Sequence, residues 1–158
     1  MEQLHLSYLE LLEELGSNLD RLAQLAQNKT AAVRNNDLLA LDEVLKQEQA
    51  TALNLRGLEL RRLKLVSQLG LESVPLTELS QHYPPELADR AKKTVSALRD
   101  SYAIYRSSAD MARSLLELDL HQIEKVIAAS GVDSAVATSG YDAPTLEPPK
   151  NMKTDFRA

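Results

Sequence analysis

Ala91, Val95, Leu98, Tyr102, Tyr105, Ala109, Ala112 and Leu116 advance in alternating steps of four and three without a fault. On an α-helix that spacing gathers them on one narrow stripe, and such a stripe leaves water most readily against another helix. A strand would throw successive pairs of the set onto opposite faces. The same rhythm occurs earlier in Tyr8, Leu12, Leu15, Leu19, Leu22, Ala26 and Val33, with Lys29 the one polar interruption. Two helices that both need a partner along their whole length constrain the fold before any other feature is read.

The punctuation between them supplies a third helix. Asn35-Asn36-Asp37 carries turn and N-cap chemistry, because short Asn and Asp side chains accept from the free amides of a new helix. The helix it opens runs from about Leu38 to Leu69 and stops at Gly70, a residue suited to the left-handed position past a helix end. Its seam reads Leu38, Leu41, Leu45, Ala52, Leu55, Val66 and Leu69, broken by Glu48 and Glu59. A second stripe, Leu53, Leu60 and Leu63, lies round the cylinder and predicts contact with two neighbours. Residues 70–84 form a connector containing Pro75 and Pro84, with room for one short helical turn at Leu76–His82. Pro85-Glu86 then suits the first turn of the third helix, which continues to about Ala129.

From Ser130 the texture changes to Ser, Ala, Gly, Thr and Pro without periodicity, which predicts a flexible tail. The expected fold is therefore all-α: an elongated, antiparallel, coiled-coil-like three-helix bundle over residues 1–130, with helices about 3–34, 38–69 and 85–129, then a flexible C-terminal tail over 131–158. Composition agrees. Hydrophobic residues make up 44% of the chain but aromatics only 4%, so the apolar content is mostly Leu and Ala, suited to helix seams.

Helix lengths carry an inference about function. At about 1.5 Å per residue the first two helices are roughly 45–50 Å long and the third roughly 65 Å. In an up-down-up arrangement the far end of the third helix then projects past its neighbours. That end has apolar residues on more than one face: Leu116, Leu120, Ile123 and Ile127 continue the seam, while Met111, Leu115, Leu118 and Val126 form a second stripe. Apolar area left in water there is worth several kcal/mol on burial, at about 25 cal/mol per Å² over a few hundred Å². The chain's own tail, a second copy or a client segment should cover it. Tyr141 and Phe156 are the tail's aromatic residues, and a flexible tail has no core for them to fill. They either anchor to a partner or dock back on the helices.

No constellation for catalysis appears. The chain has no cysteine, which excludes disulfides, thiolate metal sites and Cys nucleophiles. His5, His82 and His121 are scattered, without H-E-x-x-H spacing, and no metal or other cofactor is expected. Glu13, Glu14, Asp42, Glu43, Asp110 and Glu117 sit among leucines at helix-surface spacing and read as solubilising faces. With five glycines and no G-x-S-x-G elbow, P-loop or G-x-G-x-x-G, there is no cradle for phosphate. The chain is not expected to be an enzyme. Arg56, Arg61, Arg62 and Lys64 form a basic stretch, but a net charge of −5 and the lack of nearby stacking aromatics favour an exposed face offsetting the acidic first helix over a nucleic-acid site. No signal peptide opens the chain and no run approaches the roughly 18 apolar residues of a spanning helix, so a soluble, cytoplasmic protein without membrane insertion is expected.

The order of these features resembles the FlgN-type flagellar export chaperones. The resemblance rests on Asn35-Asn36-Asp37-Leu38-Leu39-Ala40-Leu41, on the basic stretch closing as Arg61-Arg62-Leu63-Lys64-Leu65-Val66-Ser67-Gln68-Leu69-Gly70, and on the proline-containing connector, long third helix and tail. Tail motifs of the family stand here as Tyr141-Asp142-Ala143-Pro144 and Asp155-Phe156-Arg157-Ala158. Tyr105-Arg106-Ser107-Ser108-Ala109 departs from the family, which often has Asn midway along helix three. The resemblance implies a cytoplasmic chaperone for hook–filament junction (hook-associated) proteins. It would bind their C-terminal helical segments, prevent premature assembly and deliver them to the type III export gate. The far part of helix three and the tail would carry client binding, with Tyr141 implicated at the gate. Two other readings fit the same stripes: a self-associating structural coiled coil, and a secretion chaperone or adaptor for another client.

Overall fold

The computed structural model describes residues 1–130; the flexible tail expected over 131–158 lies outside the described residues. The described chain is all-α, with the order α1 (Glu2–Arg34), α2 (Leu38–Leu69), a 3-10 segment (Leu76–His82) and α3 (Pro85–Ser130), and no strand among these residues.

The turn between α1 and α2 is built from the three polar residues that suggested it. Asn36 adopts a left-handed φ of 52°, which asparagine tolerates better than most side chains. The Asp37 amide then donates to the Ala32 carbonyl at 2.9 Å and the Asn36 amide to Val33 at 3.2 Å, closing the last turn of α1. Asp37 also begins the next helix, its carboxylate accepting from the Ala40 amide at 3.0 Å. At the far end of α2, Gly70 takes a φ of +68° and the Leu71 amide donates back to Val66. A side chain there would strain the backbone, so glycine is required by conformation rather than by space.

α1 is the shared element. It packs along both α2 and α3, whereas α2 and α3 touch each other sparsely. Its burial follows: Tyr8, Leu12, Leu15, Leu19, Leu22, Ala26 and Val33 are all buried, and so are Leu9, Leu11, Ala23, Leu25 and Ala32 on its flanks. A helix with a neighbour on each side needs more than one stripe. Directions follow from the ion pairs. Lys29 meets Glu48 at 2.8 Å and Glu14 meets Arg61 at 3.5 Å, so α1 and α2 run antiparallel. Glu13 meets Arg90 at 3.1 Å and Gln27 donates to Ser108 at 3.5 Å, so α1 and α3 run parallel. Lys29, the polar break in the α1 stripe, holds its place by that pairing with Glu48.

The α2 seam corrects the sequence reading. Its buried residues are Val44, Thr51, Leu55, Leu58, Arg62 and Val66, while Leu38 and Leu45 are exposed. The second stripe, Leu53, Leu60 and Leu63, faces outward instead of meeting a second neighbour. Leucine occurs nearly all round α2, so its periodicity could not choose the inward face. Polar residues help to choose it: Glu48 is drawn inward by Lys29, and the Glu59–Arg62 pair lies against Tyr8.

The connector contributes to the core. Leu79 and Tyr83 are buried, and the Tyr83 hydroxyl donates to the His5 carbonyl at 3.1 Å. The His5 and Tyr83 rings meet edge to face with centroids 4.5 Å apart. This closes the end of the molecule where α1 begins and leaves the opposite end to α3.

Candidate functional site

The register between α1 and α3 fixes what lies at that opposite end. Gln27–Ser108 and Glu13–Thr94 share an offset of 81 residues. That offset brings Arg34, the last residue of α1, level with Leu115. The 15 residues from Leu116 to Ser130 therefore continue past α1, a projection of about 22 Å at 1.5 Å per residue. Burial changes at the same place, since Ala112 is the last buried residue of α3.

Beyond it the apolar residues remain, but in water. Leu118 is 53% exposed, Leu120 58%, Ile123 55% and Val126 68%; Met111, just before, is 57% exposed. Leu115, Leu116 and Ile127 are half-buried. At about 100° per residue, Met111, Leu115, Leu118 and Val126 form one stripe, and Leu116, Leu120, Ile123 and Ile127 another roughly 120° away. Glu117, His121, Glu124 and Lys125 occupy the rest of the circumference. The helix end is thus amphipathic with an arc wider than one neighbour can cover, and Asp119 sits between the stripes. Leu38 and Leu39, at the tip of the α1–α2 turn, are exposed at the same end of the molecule. Periodicity placed Leu38 in the α2 seam, with no sign that it would be exposed here.

The remaining site expectations separate clearly. Tyr141 and Phe156 lie outside the described residues. Tyr102 and Tyr105 pack partly buried against the core, and burial raises the Tyr105 hydroxyl above its ordinary pKa, with Glu48 adding to the effect. The basic stretch divides. Arg62 is turned inward, where burial works against its charge, yet the Glu59 carboxylate and Tyr8 more than offset that and hold the guanidinium above its usual pKa. Arg56, Arg61 and Lys64 stay on the surface.

Among the described residues no group of three or more His, Cys, Asp and Glu could hold a metal ion. No helix among them is long and apolar enough to cross a membrane. A shallow cleft lies at the end opposite the projection, lined by Glu13, Glu86, Asp89, Arg90, Lys93, Thr94 and Ala97. Its central charges satisfy each other, Arg90 donating to both Glu13 oxygens at 3.1 Å and Thr94 to one of them at 3.3 Å.

What the geometry can do is hold another apolar segment, by the same helix-in-groove physics that joins α1 to its neighbours. A surface of that kind is one that helical proteins use to bind other polypeptides. Comparison with known proteins narrows the class: residues 5–145 match the family described as FlgN protein, and the chain belongs to that family. The family's general role is that of a flagellar export chaperone. No match was found among curated proteins or among solved structures.

Proposed function

We propose that this chain is a cytoplasmic chaperone that binds the C-terminal helical segments of hook–filament junction proteins on the projecting end of α3. Binding there keeps those clients from assembling early, and the complex is delivered to the type III export gate. The observation that carries the reading is the two-striped apolar arc from Met111 to Ile127, most of it on the residues that project beyond α1. Met111, Leu118, Leu120, Ile123 and Val126 each have more than half of their surface still to bury. At about 1.5–3 kcal/mol per fully buried side chain, completing that burial yields roughly 4–8 kcal/mol before the cost of association. Leu115, Leu116 and Ile127 extend the same surface. An amphipathic client helix laid along it would supply what α1 supplies lower down. Tyr141 and Phe156 are proposed to dock at the gate, a role that rests on the family's tail motif.

Light scattering of the chain alone and with a C-terminal client fragment separates this reading from a self-associating structural coiled coil. The chaperone forms a defined complex with the fragment and Leu118→Asp abolishes it; a structural protein oligomerises by itself and ignores the fragment.

A further inference from the structure

We propose that the outer face of α2, formed by Leu53, Arg56, Leu60, Leu63 and Lys64, is a second docking surface, which takes an acidic amphipathic helix of a partner protein. The inference is independent of what binds the end of α3. At about 100° per residue these five side chains fall within one arc of about 100°, on the side of α2 turned away from α1. Leu53 is 69% exposed, Leu60 65% and Leu63 46%. Three leucines at steps of seven and three on a solvent face form a seam of the kind that another helix reads.

The charges around them specify the partner. Along this part of α2 both acidic residues, Glu48 and Glu59, are spent inward on Lys29 and Arg62. Arg61 reaches Glu14 at 3.5 Å, but Arg56 and Lys64 have no ion pair among the described residues. The seam is thus flanked by cations on a chain whose net charge is −5. Such a face selects a helix with leucine-like residues in its seam and acids beside them. A second copy apposed through this face would set Arg56 and Lys64 against their own like charges, which opposes pairing. Residues 131–158 carry four acids against three cations, a near balance that does not match the acidic partner this face selects. A lipid surface is disfavoured because the face has no Trp, Tyr or Phe to anchor at a membrane boundary.

The test uses the full chain and a labelled synthetic peptide of about three heptads, with Leu at the seam positions and Glu flanking them; the flanking acids keep the peptide from pairing with itself. A second peptide carries Lys in place of Glu. In fluorescence anisotropy the chain binds the Glu peptide and not the Lys peptide, and added salt weakens binding. Leu60→Asp, and separately the double variant Arg56→Glu/Lys64→Glu, weaken binding about tenfold or more, with helix content unchanged by circular dichroism. Leu118→Asp leaves it as it is. Equal binding of both peptides, or undiminished binding in the folded α2 variants, overturns the proposal. So does a chain that ignores the Glu peptide but binds anionic vesicles or dimerises through this face.

Discussion

Glu59→Ala removes the partner of a guanidinium that has almost no water to fall back on. Arg62 and Glu59 form a two-pronged pair at 2.7–3.0 Å, and their side chains are only 8% and 17% exposed. Their attraction is set against desolvation, so the intact pair adds little net stability, whereas the broken pair leaves a buried charge. Removing one member of such a pair costs about 3–5 kcal/mol. Here Arg62 keeps its interaction with Tyr8 and Glu59 is not wholly buried, which places the loss near the lower end, about 3 kcal/mol. That is a large share of the roughly 5–15 kcal/mol by which a domain is folded, and it lowers the melting midpoint by on the order of 6–12 °C. Urea unfolding followed by circular dichroism measures it. Asp42→Ala is the internal control: the Lys46–Asp42 pair is 68% and 64% exposed, and its loss costs about 0–1 kcal/mol. Adding Arg62→Met to Glu59→Ala restores most of the stability, because the stranded charge goes with it. A Glu59→Ala cost no larger than that of Asp42→Ala, or no recovery in the double variant, would show that Arg62 is not left as a stranded buried charge.

Asp37→Ala removes the cap on the Ala40 amide and costs about 1 kcal/mol in the same unfolding assay. Gly57→Ala stabilises by about 0.5–1 kcal/mol, since Gly57 lies inside α2 and an added Cβ meets nothing within 4 Å. Burial, reinforced by Tyr8, raises the Tyr83 hydroxyl above its ordinary pKa of 10.0. The folded protein then holds this proton more tightly than the unfolded chain, so the contribution is intact below about pH 10 and declines as pH rises toward the folded value. Tyr83→Phe makes stability fall less steeply in that alkaline range, as read by urea midpoints at successive pH values.

How much was legible in the sequence depended on whether leucine occupied one face or several. The α1 stripe from Tyr8 to Val33 is buried at every position named from its spacing, and Asp37 and Gly70 stand where turn chemistry put them. The long α3 stripe lost exposure as far as Ala112, and its extra length was visible by counting residues. In α2 the reading failed at Leu38 and Leu45, because leucines surround that helix and period alone is blind to which face is taken. The inward face carries Thr51, Arg62 and Glu59, polar residues that hydrophobic counting passes over. The spacing of Glu59 and Arg62, three residues apart on the helix, was the available signal. The burial of Tyr83 was also hidden, because it needs the 3-10 turn to bring it against His5 across 78 residues.

Hydrogen exchange on the chain with and without a C-terminal fragment of a hook–filament junction protein tests the proposed client site. In the complex, amides of residues 115–127 exchange much more slowly and the α1 core is unchanged; Leu118→Asp, while altering stability by no more than about 0.5 kcal/mol, abolishes the protection. Slowed exchange elsewhere with residues 115–127 unaffected, or full protection persisting in a folded Leu118→Asp chain, would contradict it.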